Sequence, residues 1–234
     1  MKRRLGILAP PLAVFAAFIC AWYFYSGVIL DETRRKITLP YFHQVIDQSF
    51  LDAENRADLL GALWTSAWIA GIGLTISILL GLTFAVLMSQ AKWIERSFYP
   101  YAVLIQTLPI LALVPMIGLQ FGFGIKARVI VVVIISLFPI ITNTLFGLKS
   151  ADQGHHDLFT LHGAGRLTRL FKLQFPSALP AMFTGFQISA GLAVIGEIVG
   201  GLFFGRGAVD LGNRIQLYVA RLRAAELMGA IALS

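Results

Sequence analysis

Four polar side chains stand inside long apolar runs of this 234-residue chain, and they are the first candidates for chemistry. Glu197 is the ionisable one. A carboxylate at such a position is expensive, so it marks a pathway or gate unless it pairs with Arg206 or reaches interfacial water. Gln106, Asn143 and Gln187 are uncharged, and each either borders a polar route or hydrogen-bonds between helices. His155, His156 and His162 invite a metal reading, and His155 and His162 share a helix face. No cysteine or paired carboxylate completes a tetrahedral site, so no metal is expected and surface histidines are the simpler reading. No intramembrane Ser/His or multi-His constellation supports catalysis, so no catalytic residue is assigned. The GxxxxGK[ST] phosphate loop is missing, so the chain does not hydrolyse ATP by that route.

The elements that hold these groups follow from composition. The chain is 57% hydrophobic and 13% charged, with a mean hydropathy of +0.77. Soluble domains carry roughly 25% charged residues, so lipid must be the solvent for most of this surface. The net charge of +7 does not point to nucleic acid, because Lys and Arg mostly flank apolar runs, as beside anionic headgroups. The single cysteine, Cys20, cannot form an intrachain disulfide and says nothing of redox compartment.

About 20 apolar residues cross the hydrocarbon core as a helix. Leu5 to Leu30 is the first such run. It is longer than a signal core and has no clean small-x-small cleavage site, so a retained helix is expected. Residues 31–58 are polar, with Val45, Ile46, Phe50 and Leu51 at the spacing of a short amphipathic surface helix. Further spans are expected at residues 59–88, 101–123, 129–148 and 178–204, with a hydrophilic turn at 90–97. Pro109 and Pro115 interrupt the third span. Gly185, Ser189, Ala193, Gly196 and Gly200 give the fifth a small-residue stripe suited to close packing. The apolar stretch from Ala224 to Ser234 is about half a crossing, and a truncated sixth helix is expected there. With Lys2-Arg3-Arg4 inside, residues 149–175 fall in the cytoplasm; Lys and Arg overall split nine to ten and do not decide the orientation.

That cytoplasmic stretch is the best-defined docking place for a soluble partner. Asp152 to His162 suits a brief helix with Asp152 near its positive end, and Gly163 and Gly165 suit its termination. Pro176 suits the first turn of the next span.

At these residues the chain resembles the inner-membrane permeases of bacterial binding-protein-dependent ABC importers. Their cytoplasmic signature is Glu-Ala-Ala, three residues, Gly, nine residues, Ile, one residue, then Leu-Pro. Here those positions read Asp157-Leu158-Phe159, Gly163, Leu173 and Phe175-Pro176, with bulky Leu158 and Phe159 in place of the paired alanines. The resemblance is strongest to the subgroup serving sulfonates, taurine, nitrate and thiamine precursors. Residues 106–115 (QTLPILALVP), 121–124 (FGFG) and 143–148 (NTLFGL) match it, as do Leu39-Pro40 and Leu179-Pro180, although Phe42 stands where a second proline is usual.

The resemblance implies an all-α, polytopic helical bundle of the type I ABC importer permease fold, with about six transmembrane helices. Residues 1–234 would be one permease domain, with 149–176 as its cytoplasmic coupling segment. It implies ATPase coupling through Asp157, Leu158, Phe159, Gly163, Gly165, Leu173 and Pro176, and a candidate pathway at Gln106, Asn143, Gln187 and Glu197. It also implies partners: ABC ATPases that bind ATP and Mg, an extracytoplasmic solute-binding protein, a second permease subunit and membrane lipid. No cofactor is expected in this chain. The alternative is an ATP-independent secondary transporter or channel, which calls for paired ionisable groups at mid-membrane where only Glu197 offers itself.

Overall fold

The structure, a computed structural model, describes residues 2–204 and 209–234, with side chains from residue 10 onward. Among the described residues every regular element is helical. Four helices are long and apolar enough to cross a membrane: Pro10–Ile29, Ala53–Gln90, Ile125–Lys149 and Arg166–Phe203. A sharply bent pair, Lys92–Thr107 with Ile110–Phe121, adds a fifth if the two make one crossing. The residues group into two compact units, Met1–Trp64 with Val209–Ser234, and Thr65–Ala208.

In the first unit, α1 (Lys2–Phe24) runs into a π-helical turn over Tyr25–Ile29. Leu12, Phe15 and Phe18 project from it, as suits a helix solvated by lipid. Its far end is tied down. Trp22 Nε1 donates to Pro40 O at 2.8 Å, Ser26 Oγ donates to Leu39 O at 2.8 Å, and the rings of Tyr23, Tyr41 and His43 stack. Two short helices follow, α2 (Glu32–Thr38) and α3 (Phe42–Ile46), then a π turn over Asp47–Leu51. The amphipathic stripe expected there differs in detail. Val45 and Ser49 are the buried residues, while Ile46 and Leu51 are exposed. The cause is Ser49, whose Oγ donates to Ala225 O at 3.0 Å. Gly229 makes room for it, since a Cβ there would fall 2.2 Å from that Oγ.

The start of α4 (Ala53–Gln90) packs in this unit with α11 (Leu211–Ala220) and α12 (Ala224–Leu233), around Leu59, Ala62, Leu211, Tyr218 and Ala230. Asp210 caps α11 by accepting from Asn213 N at 2.8 Å, and Asp58 pairs with Arg214. Burial, and then the Asp58 carboxylate, push the Tyr218 phenol above its usual ionisation range.

The second unit is built on three helices in close contact. The remainder of α4 is followed, after a break at Ala91 alone, by α5 (Lys92–Thr107). The hydrophilic turn expected over 90–97 is therefore mostly helix. Glu95 stands in the first turn of α5, where a carboxylate complements the positive end of a helix. α5 meets α6 (Ile110–Phe121) at a 99° bend. Pro109 lacks a backbone N–H and holds Leu108 in extended backbone, so the helix stops there. Pro115 is accommodated inside α6.

α7 (Ile125–Lys149) is the centre of this unit. Along the helix over Phe175–Phe203, here α10, the buried residues Ala178, Met182, Gly185, Ser189, Ala193, Gly196 and Gly200 recur at three- and four-residue steps. They face α7. Cβ atoms added at Gly185, Gly196 and Gly200 would meet Pro139 O, Val132 Cα and Arg128 Cα at 3.0–3.3 Å. On its other side α7 takes Gly73 and Gly81 of α4, where Cβ atoms would collide with Val132 and Ile140. Serines link the three helices at the same level: Ser77 Oγ lies 2.8 Å from Ser136 Oγ, and Ser189 Oγ donates to Ser136 O at 2.7 Å. In lipid such small contacts replace the missing hydrophobic push.

The tightest approach to backbone is at Gly147, where a Cβ would lie 2.9 Å from Ala178 Cα and 3.0 Å from its carbonyl oxygen. Neither is a flexible side chain. Gly147→Val is therefore expected to pry α7 from α10 at a cost of about 1–3 kcal/mol, read as a lower melting temperature in detergent, whereas the same change at open Gly191 leaves it unchanged.

Candidate functional site

The segment between α7 and α10 is short and rigid. Its helix α8 (Gln153–Leu161) is closed at both ends. Asp152 is the N-cap, accepting from Gly154 N at 2.6 Å, which satisfies one of the donors a helix start leaves open. At the other end Gly163 has φ +63°, a conformation that glycine takes without steric cost. Gly163 N donates to Thr160 O at 3.0 Å and Ala164 N donates to Phe159 O at 2.9 Å, the paired bonds of a Schellman terminus. Asp152→Ala is expected to cost this helix about 1 kcal/mol, seen as faster amide exchange over residues 153–161 with the spans unaffected.

After Gly165, α9 (Arg166–Arg169) begins, turns through a π-helical segment at Leu170–Gln174, and enters α10 without interruption. Arg169 Nη2 donates to Thr160 Oγ1 at 3.1 Å, fastening α9 to α8. Leu170 is buried against Leu148, Ala178 and Met182, and Leu173 is buried too, so the segment is anchored on the ends of α7 and α10.

Of the sequence-expected coupling residues, Asp157, Leu158, Gly163, Gly165 and Pro176 are exposed, Phe159 is half-buried and Leu173 is buried. Asp157 accepts from Gln153 Nε2 at 3.1 Å. Leu158 and Leu161, one helical turn apart, are 49% and 85% exposed and form an apolar face left uncovered among the described residues. Leu161 was not anticipated; its i,i+3 spacing from Leu158 was the available signal. Among the described residues no group of three His, Cys, Asp or Glu side chains stands together to hold a metal ion.

The intramembrane polar groups separate into three kinds. Gln106, just before the bend, and Gln187 on α10 are exposed. Asn143 is half-buried and donates its amide to Pro139 O at 2.8 Å, a contact within its own helix. Glu197 is fully buried beside the α7–α10 seam. Arg206, its sequence-expected partner, lies outside the described residues. Among the described residues the groups that act on Glu197 are the Ser66 hydroxyl, as a hydrogen-bonding partner, and the Arg128 guanidinium on α7, through its charge. Arg128 is itself fully buried and donates Nη2 to Phe204 O at 2.6 Å, covering a carbonyl at the end of α10. Sequence reasoning left Arg128 in the preceding loop, because an arginine at the edge of an apolar run ordinarily reads as its boundary.

Residues 73–233 match the family described as binding-protein-dependent transport system inner membrane component. The chain belongs to this family. The matched region takes in the bent α5–α6 pair, the α7–α10 seam and the segment between α7 and α10. Among similar proteins is a formylaminopyrimidine transport permease of Halalkalibacterium halodurans, 42% identical over 202 residues, which are 86% of this chain and 77% of that one. A putative aliphatic sulfonates transport permease of Escherichia coli is 31% identical over 181 residues, 77% of this chain and 67% of the other. A riboflavin transport system permease of Chloroflexus aurantiacus is 32% identical over 129 residues, and there the chain spans about half the relative's length, 47%. The protein is thus a multi-pass permease subunit of an ABC importer in the cytoplasmic membrane, and its work is passage of a small solute. Family membership sets aside the ATP-independent transporter.

Proposed function

We propose that this permease is driven by a separate ATPase that grips α8, and that it imports a small nitrogen heterocycle of the aminopyrimidine class delivered by an extracytoplasmic binding protein. The observation that carries the drive is α8 itself: capped at both ends, fastened to α9, and presenting Leu158 and Leu161 outward. A rigid helix with an uncovered apolar face passes force to the spans better than a mobile loop. ATP and Mg belong to the ATPase, whose closure moves α8, while α7 and α10 change their arrangement as a packed pair.

The solute class rests on the 42% identity to the formylaminopyrimidine permease over most of both chains. The route runs between this chain and a second permease subunit. Exposed Gln106 and Gln187 face that route, because an amide turned to hydrocarbon finds no hydrogen-bond partner. Asn143 and Glu197 act behind it, holding the helices that form its wall.

The test is reconstitution of the permease with its ATPase and binding protein in vesicles. ATP-dependent uptake of a labelled aminopyrimidine, competed by unlabelled aminopyrimidine and not by an alkanesulfonate, is the expected result. Competition by the sulfonate alone overturns the solute class, and uptake without any ATPase overturns the drive.

A further inference from the structure

A cleft of about 570 Å³ opens where α4 ends, α5 begins and α7 ends, and nothing in the transport reading uses it. Three cations border it, Lys92, Arg96 and Lys149, with one carboxylate, Glu95. Glu95 is taken, its Oε2 2.5 Å from Lys149 Nζ. Among the described residues Lys92 and Arg96 have no ion-pair partner, so the cleft keeps an excess of two positive charges. These two lie four residues apart on one face of α5, in its first turns, where like charges repel and the helix dipole disfavours cations. An anion between them reverses both penalties.

Directly beside this polar cleft lies a second, apolar crevice of about 70 Å³, and Met88 borders both. Phe84, Phe98, Ile105 and Leu137 form its walls, with no charged group among its lining residues. Tyr99 borders the polar cleft, and Trp93 and Tyr101 are exposed elsewhere on α5, as side chains at the level of lipid headgroups are. A basic head compartment, an apolar slot continuous with it and an interfacial belt describe the occupant from three sides.

We propose that this cleft binds one anionic phospholipid, its phosphate between Lys92 and Arg96 and an acyl chain in the Phe84–Leu137 crevice. The cleft stands at the α8 end of α7. Its assignment to the inner leaflet therefore rests on the cytoplasmic position of α8, whereas the lipid site itself does not. A bound lipid here braces α5 against the end of α7.

The experiment titrates the purified chain in neutral detergent with phosphatidylglycerol, phosphatidylcholine and sn-glycerol 3-phosphate, reading retained lipid by native mass spectrometry. Phosphatidylglycerol is expected to bind about tenfold more tightly than phosphatidylcholine, with that preference lost in the K92Q/R96Q double variant, as expected for two cations at an anionic headgroup. Raising salt to about 0.5 M weakens phosphatidylglycerol binding to the unaltered chain, so the proposal is decided even where the double variant does not fold. Ile105→Trp, which fills the crevice, lowers phosphatidylglycerol binding and leaves that of glycerol phosphate unchanged. Glycerol phosphate binding as tightly as the lipid makes the cleft a site for free phosphate and overturns the proposal. Equal binding of the two lipids also overturns it, as does loss of ATPase association in K92Q/R96Q without any change in lipid retention, which makes the patch a protein contact. None of these readouts involves transport, so their failure leaves the importer assignment standing.

Discussion

Replacing Leu158 and Leu161 together by serine is expected to abolish capture of the ATPase and ATP-driven uptake, while the permease itself still folds. Both side chains are exposed in the chain alone, so their loss costs the fold little. Buried in a partner's groove, each leucine contributes roughly 1.5–3 kcal/mol, and the pair together corresponds to at least a hundredfold in affinity. The measurement is copurification of the ATPase with tagged permease, alongside uptake in reconstituted vesicles. Normal copurification with normal uptake in the double variant would remove α8 as the coupling element. Gly163→Val provides an internal comparison: it leaves the apolar face intact but strains the φ +63° terminus, so it weakens capture by misplacing the same contact.

The second large effect is expected at Arg128. Arg128→Met removes a buried hydrogen bond to Phe204 O and the positive charge that faces buried Glu197. Stripping one member from a buried ionic set costs about 3–5 kcal/mol, because the remaining charge has no solvent to turn to. The expected result is a sharp fall in folded yield and in melting temperature in detergent. Adding Glu197→Gln to that variant should restore at least half of the loss, since the carboxylate is then no longer present to be left uncompensated. A double variant as damaged as the sum of the two singles would mean that the residues do not act on one another.

Most of the membrane architecture was legible in the sequence, because apolar length is a strong signal. The spans read at 59–88 and 129–148 fall inside α4 and α7, that at 178–204 overruns α10 by one residue, and the brief helix expected from Asp152 is α8 with Asp152 as its cap. The small-residue stripe on α10 was also visible, and its partner α7 was not, since no single-chain pattern says which neighbour a stripe will meet. What escaped detection has a common cause. The Gln90–Ser97 stretch looked like a turn because its charges broke the apolar run, yet those charges sit on a helix. Arg128 looked like a span boundary for the same reason, yet it is enclosed. Hydropathy registers that a charge is present and does not register what shelters it. The turn at Gly163 and the helix start at Pro176 were readable through spacing alone, since glycine and proline impose backbone geometry whatever surrounds them, whereas exposed Leu161 announced itself only once the helix face was known.

The uninterrupted run from Arg166 to Phe203 has a mechanical consequence. Because α9, its π turn and α10 are one rod, the Arg166 end cannot swing without the far end answering as a lever. Arg166 and Glu197 are separated by about 46 Å along the axis, so a tilt of only about 5° at the Arg166 end carries the Glu197 end sideways by about 4 Å. That displacement exceeds the width of a water molecule and approaches half the usual spacing between packed helices, enough to shut or open a constriction with no helix needing to bend.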